Sequence, residues 1–240
     1  MDGARKPWQG AQVQPPRAIS APVTAAVVVL ALVTAVHLVA QLTDQRPLAD
    51  VTQWFLMPLL ALALWLAAGP ARAERLVRVT VVALGFSWLG DAAPDVVPDD
   101  VAFITMLGFF LVAHVVYLIA FWPLRERGVI GRRPVLVLPY VVVLAVLLAI
   151  VLPGAGELAV PVVGYGAVLT CVAVLATFDR VAAIGGVLFI VSDAFIALNS
   201  FADHPALPVH GFWVMLTYVG AQALLVAGVL RMRAPLFESA

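Results

Sequence analysis

Apolar residues fall along the chain in eight blocks, at about residues 20–41, 51–68, 73–92, 101–123, 134–152, 158–178, 181–200 and 208–231. Short polar stretches rich in Pro, Gly, Asp and Arg separate them. A helix needs roughly 20 apolar residues to cross the hydrocarbon core of a bilayer, and each block is near that length. The pattern predicts an all-α, polytopic membrane protein with eight transmembrane helices. The sixth and seventh blocks meet at a minimal turn, Phe178-Asp179-Arg180.

Composition strengthens this picture. The chain has 240 residues, of which 63% are hydrophobic and 12% charged, and its mean hydropathy is +1.05. Soluble domains carry about 25% charged residues. Residues 1–18 are polar and read as a disordered cytoplasmic tail. The apolar stretch after them is too long for the core of a cleaved signal peptide. Residues 19–232 form the transmembrane domain, and residues 233–240 a cytoplasmic C-terminal tail. The single Cys171 excludes an intramolecular disulfide and a cysteine-based zinc site.

The formal net charge of zero hides an asymmetry. Arg5, Lys6 and Arg17 precede the first block. Arg72, Arg75 and Arg78 lie between the second and third. Arg125, Arg127, Arg132 and Arg133 lie between the fourth and fifth, Arg180 between the sixth and seventh, and Arg231 and Arg233 at the end. Only Arg46 falls in a loop of the opposite side. The excess of Lys and Arg in cytoplasmic loops then places both termini in the cytoplasm, as an even number of spans also requires. The outer loops are acidic, with Asp44, Asp50, Asp95, Asp99, Asp100, Glu157 and Asp203.

A short internal similarity joins the third and seventh blocks. One ends Gly85-Phe86-Ser87-Trp88-Leu89-Gly90-Asp91-Ala92, and the other contains Phe189-Ile190-Val191-Ser192-Asp193-Ala194. Both run outward, four spans apart. This suggests two four-helix halves related by an axis along the membrane normal.

Ionisable groups inside the spans are few: His37, Asp91, His114, Asp193 and the phenols Tyr117, Tyr140, Tyr165 and Tyr218. A carboxylate at membrane depth costs about 2.5–3.5 kcal/mol on the insertion scale, so such groups face a protein interior or a wet cavity and point to function. Asp91 has no basic residue within ten positions, and Asp193 follows twelve largely apolar residues. Brought together, the two form a carboxylate pair in which one keeps its proton while the other acts as base. An interfacial, structural role for Asp91 is the alternative. Helical spacing stacks His114 with Tyr117, Tyr218 with Gln222, Ser87 with Asp91, and Ser192 with Asn199. His37 has no polar neighbour at helical spacing and reads as structural, while His204 and His210 flank an outer loop and read as solvated. No phosphate-binding loop, dinucleotide fingerprint, zinc-protease motif or serine-hydrolase elbow occurs, and no basic patch suggests nucleic acid. The histidine spacing indicates no metal site.

Taken in order, Gly90-Asp91, the stretch from Gly108 through His114 to Tyr117, Ser192-Asp193 with Asn199, and Thr217-Tyr218 with Gln222 resemble the YhhN family of lysoplasmalogenase-like membrane proteins, over residues 20–231. The resemblance implies an eight-span protein of the cell membrane, of the bacterial inner-membrane type. It implies hydrolysis of the vinyl ether bond of lysoplasmalogens to a fatty aldehyde and a glycerophospho-headgroup. It makes Asp91 and Asp193 the catalytic acids. Ser87, His114, Tyr117, Ser192, Asn199, Tyr218, Gln222 and Gln53 are the candidate substrate-binding residues. Gln53 is a departure, since many relatives carry Lys-Pro early in the second span.

The chemistry suits two carboxylates. Protonation of the vinyl carbon gives an oxocarbenium ion, water adds, and the hemiacetal collapses, by the logic of glycosidases. No metal or organic cofactor is needed. The expected partners are a lysophospholipid entering laterally and the surrounding membrane lipids. Two rival readings use the same acids. An intramembrane aspartyl protease lacks its Gly-x-Gly-Asp pattern here, since the chain reads Trp88-Leu89-Gly90-Asp91. A lipid-binding or proton-coupled transport protein without hydrolase activity also fits membrane acids, but a carrier calls for matched mid-span breaks that Pro58 and Pro161 do not supply.

Overall fold

The computed structural model describes residues 20–203 and 207–232, and the described residues are helical without strands. The two tails and His204 lie outside the described residues. The helices are α1 (Ala21–Leu42), α2 (Arg46–Ala68), α3 (Arg75–Ala92), α4 (Asp99–Phe121), the single turn α5 (Val129–Arg132), α6 (Leu138–Ala155), α7 (Ala159–Ala176), α8 (Arg180–Phe201) and α9 (His210–Arg231). Short 3-10 turns fill most connections.

Seven helical segments are long and apolar enough to cross a membrane. One of them, Pro134–Ala176, is 43 residues long and holds both α6 and α7. The chain reverses within it at Gly156, where φ is +52°, a backbone conformation that glycine adopts without a Cβ penalty. Leu144 and Gly166, lying on either side of that turn, come into contact, so α6 and α7 form an antiparallel hairpin. The second block begins earlier than its hydropathy suggests. Pro47 sits in the first turn of α2, where its missing N–H and fixed φ fit a helix start. Pro58 lies inside α2, which continues through it.

Contacts between distant loops define two ends of the bundle. At one end, the Val129 N–H donates to Thr177 Oγ1 at 3.0 Å, Arg75 donates to the Ile119 carbonyl at 3.0 Å, and Arg231 pairs with Asp179 at 3.2 Å. Asp179 also caps α8, accepting from the Val181 N–H at 2.8 Å and the Ala182 N–H at 3.3 Å. This end gathers most of the described arginines. At the other end, the Trp54 indole N–H donates to Asp95 at 2.8 Å, and Phe103 meets Phe201 edge-on at 5.6 Å.

Small residues bring α8 and α9 close. A Cβ on Gly185 would lie 2.8 Å from the Ala221 carbonyl oxygen, and one on Gly228 would lie 3.0 Å from the Ala182 nitrogen. Without a hydrophobic drive between helices in lipid, such close backbone approach is what holds them together. The His37 ring is fully buried, with Nδ1 facing the Ala49 carbonyl at 3.1 Å and Thr52 Oγ1 at 3.0 Å, so it ties α1 to α2. The outer faces of α1 and α6 are apolar and exposed, as lipid-facing surfaces are.

Candidate active site

Asp91, on the last turn of α3, is 5% exposed. Its carboxylate accepts a hydrogen bond from the Tyr218 hydroxyl at 2.9 Å. One turn deeper, Gln222 Nε2 donates to Ser87 Oγ at 3.0 Å, and Tyr117 donates to Gln222 Oε1 at 2.6 Å. The two rungs follow from spacing. Ser87 and Asp91 share a face of α3, Tyr218 and Gln222 share a face of α9, and the antiparallel helices match them pairwise. From two turns into α2, the Gln53 amide donates to the Asp91 backbone carbonyl at 3.4 Å and lies within reach of its carboxylate.

Asp193 has different surroundings. It is half-buried on α8 and accepts from the Tyr165 hydroxyl of α7 at 2.5 Å. It also lines a cavity of about 90 Å³ between α4, α6, α7 and α8, whose walls are otherwise largely aliphatic and aromatic. Of the candidate residues, Asp193 alone lines that cavity.

The two carboxylates are therefore not a hydrogen-bonded pair. Each faces its own tyrosine, because the Asp91 face of α3 turns to α9 while the Asp193 face of α8 turns to α7. A row of rings joins the two sites. Tyr165 meets His114 edge-on at 5.3 Å, His114 meets Phe189 at 4.7 Å, and Phe189 meets Tyr218 at 5.8 Å. Phe110 touches both sides. It lines the cavity, packs on Tyr218 at 5.6 Å, and presses so closely on α3 that a Cβ on Gly90 would lie 2.8 Å from its ring. Both aspartates thus lie at the level of the middle of α4.

His114 is fully buried, and neither ring nitrogen has a hydrogen-bond partner. The Phe110 carbonyl one turn earlier is an electrostatic neighbour without hydrogen-bond geometry. An unsatisfied buried polar group in a native fold calls for a water, a ligand or a function. Ser192 is buried and donates to the Val214 carbonyl at 3.1 Å, tying α8 to α9. Asn199 is exposed near the C-terminal end of α8. His210, expected to be solvated, is half-buried, with Nε2 3.0 Å from the Phe195 carbonyl, because it opens α9 against the α8 backbone. Tyr165 carried no site role in the sequence. Its signal was an in-span phenol, and only the packing of α7 on α8 reveals its partner. Among the described residues, no three His, Cys, Asp or Glu side chains cluster as metal ligands would.

The apolar helices and the carboxylates among them define a multi-span helical membrane protein with an acidic group on a cavity wall. The chain belongs to the YhhN family, whose sequence model matches residues 48–229. No curated protein and no solved structure matches it.

Proposed function

We propose that the protein is a membrane hydrolase that cleaves the vinyl ether bond of lysoplasmalogens or related lysolipids. Membership of the YhhN family supports this reading. The observation that carries it is a carboxyl group, Asp193, with a phenol donor, Tyr165, on the wall of an apolar cavity inside the bundle. In this reading all eight long helices span the membrane, and the arginine-rich end and both termini face the cytoplasm.

Asp193, in its protonated form, gives its proton to the vinyl carbon farther from the ether oxygen. The carbon next to that oxygen becomes an oxocarbenium ion, and Asp193 becomes a carboxylate that the Tyr165 hydroxyl stabilises. Water then adds to the cationic carbon and gives a proton to the Asp193 carboxylate, leaving a neutral hemiacetal and a protonated Asp193. The hemiacetal C–O bond to glycerol breaks as Asp193 protonates the leaving oxygen and the hemiacetal hydroxyl returns its proton to Asp193. The products are a fatty aldehyde and a glycerophospho-headgroup. A positioned acid or base contributes about 10²–10⁴-fold to such a step. His114 lies behind Tyr165, with its ring edge-on to the phenol at 5.3 Å, and so packs against the group that holds Asp193. Asp91 lies outside the cavity, and its partner Tyr218 packs against Phe110 of the cavity wall, so it acts on the site through that ring's position.

The test is substrate discrimination by the purified protein. Aldehyde is expected from a 1-alkenyl lysolipid, and none from the saturated 1-alkyl ether, which cannot form the oxocarbenium ion by protonation. Fatty acid release from a 1-acyl lysolipid without aldehyde from the alkenyl lipid would show a different hydrolase.

A further inference from the structure

The cavity beside Asp193 is walled by four helices, but they do not close it evenly. α6 packs on α7 and α8. It has no comparable interface with α4, although both helices line the cavity. Only Val151 and Ala155 of α6 are buried, both in its outer third. The rest of α6 is half-buried or exposed, and its half-buried Leu144, Leu147 and Leu148 line the cavity. Leu107 of α4 and Leu148 of α6 thus share the cavity wall where the two helices have no close packing.

Along α8 the cavity reaches from Ile190 to Phe201, roughly 16 Å at the helical rise. The edge-on pair Phe103 and Phe201 stands at the outer end. Polar groups are confined to the deeper part: Asp193, Tyr165 and, one turn further along α7, Thr170. A water needs two to four polar partners to occupy a buried space, and the outer part offers only apolar side chains. A methylene chain has the matching chemistry. The Asp193–Tyr165 pair adds a place for one oxygen function at a defined height.

We propose that the gap between α4 and α6 is a lateral portal, through which the hydrocarbon chain of a single-chain lipid passes from the bilayer into the cavity beside Asp193. Gly166 of α7 lies on the cavity wall beside α6, where a side chain would meet only the flexible end of Leu144, at 2.9 Å. The proposal deepens the hydrolase reading by locating its chain site. The identity of the reacting group rests on that reading, whereas the chain site itself does not.

The experiment reconstitutes the full chain in phosphatidylcholine vesicles with a long-chain fatty alcohol that carries a photoreactive diazirine in mid-chain. Labelled residues are mapped by mass spectrometry. Label is expected on cavity residues of α4 and α8, including Leu107 and Ala197, above the background on the lipid face of α1. Leu107→Trp narrows the portal and Gly166→Leu fills the cavity. Each is expected to lower the cavity label severalfold and leave the α1 background unchanged, with thermal unfolding in detergent checking that each variant folds. Cavity label that is absent from wild type, or unchanged in a folded variant, overturns the proposal. Expected labelling without aldehyde release from lysoplasmalogen would retain the chain site and remove the hydrolase reading. Aldehyde release with an unlabelled cavity would do the reverse.

Discussion

Tyr165 donates its hydroxyl hydrogen bond to Asp193 at 2.5 Å, so the carboxyl group on the cavity wall has its own phenol partner. Tyr165→Phe removes that hydroxyl and keeps the ring that packs on His114. Turnover of lysoplasmalogen is expected to fall about tenfold or more, since a hydrogen bond to a charged group is worth ~1.5–3 kcal/mol and each 1.4 kcal/mol is tenfold. Steady-state aldehyde release, with thermal unfolding to check the fold, measures this. Unchanged turnover would remove Tyr165 from the mechanism.

Gly90 is where α3 admits the Phe110 ring. Gly90→Ala forces that ring to shift, and overpacking of this kind costs typically 1–3 kcal/mol. Because Phe110 also packs on Tyr218 and lines the cavity, both the unfolding temperature and turnover are expected to fall. Loss of turnover with full stability would make the ring's position a catalytic matter alone.

Gln53 of α2 reaches the Asp91 backbone carbonyl. The family resemblance places a lysine there in many relatives. Gln53→Lys would set an ammonium beside the Asp91 carboxylate, and turnover of lysoplasmalogen is expected to rise severalfold. Comparison of ethanolamine and choline headgroups would show whether the lysine also reads the phosphate end. Unchanged rates for both headgroups would mean that the amide suffices.

The helices and the in-span acids were legible in the sequence, because hydropathy and arginine placement are properties of single segments. So were the shared faces of Ser87 with Asp91 and of Tyr218 with Gln222, because four-residue spacing fixes which side chains of one helix align; that these two faces meet was not. His37, read as structural, joins α1 to α2 through Nδ1, which faces Ala49 and Thr52, while its Nε2 is buried without a partner. The separation of the two carboxylates was not legible. It depends on which neighbour each helix turns toward, and spacing along one helix does not encode that. The cavity was hidden for the same reason: its walls are ordinary Leu, Ile, Val and Phe residues, and their chemistry does not distinguish a wall from a core. Asn199 shares a helical face with Ser192 but lies beyond the packed region, so facing inward did not bury it.

His37→Leu separates structure from chemistry. Thr52 keeps its own bond to the Leu48 carbonyl at 2.7 Å, so the variant loses the tie between α1 and α2 without stranding the hydroxyl. Such interhelical bonds in membranes average about 0.6 kcal/mol. A small drop in unfolding temperature with wild-type turnover is expected. A collapse of turnover would give His37 a role in the site.

The most direct measurement is aldehyde release from lysoplasmalogen by the purified wild type, Asp193→Asn and Asp91→Asn, each shown to be folded. Wild type is expected to release aldehyde. Asp193→Asn, which cannot deliver the proton, is expected to lose activity by about 10²-fold or more, and Asp91→Asn is expected to lose most of it. Equal rates in all three proteins would contradict catalysis by these carboxylates.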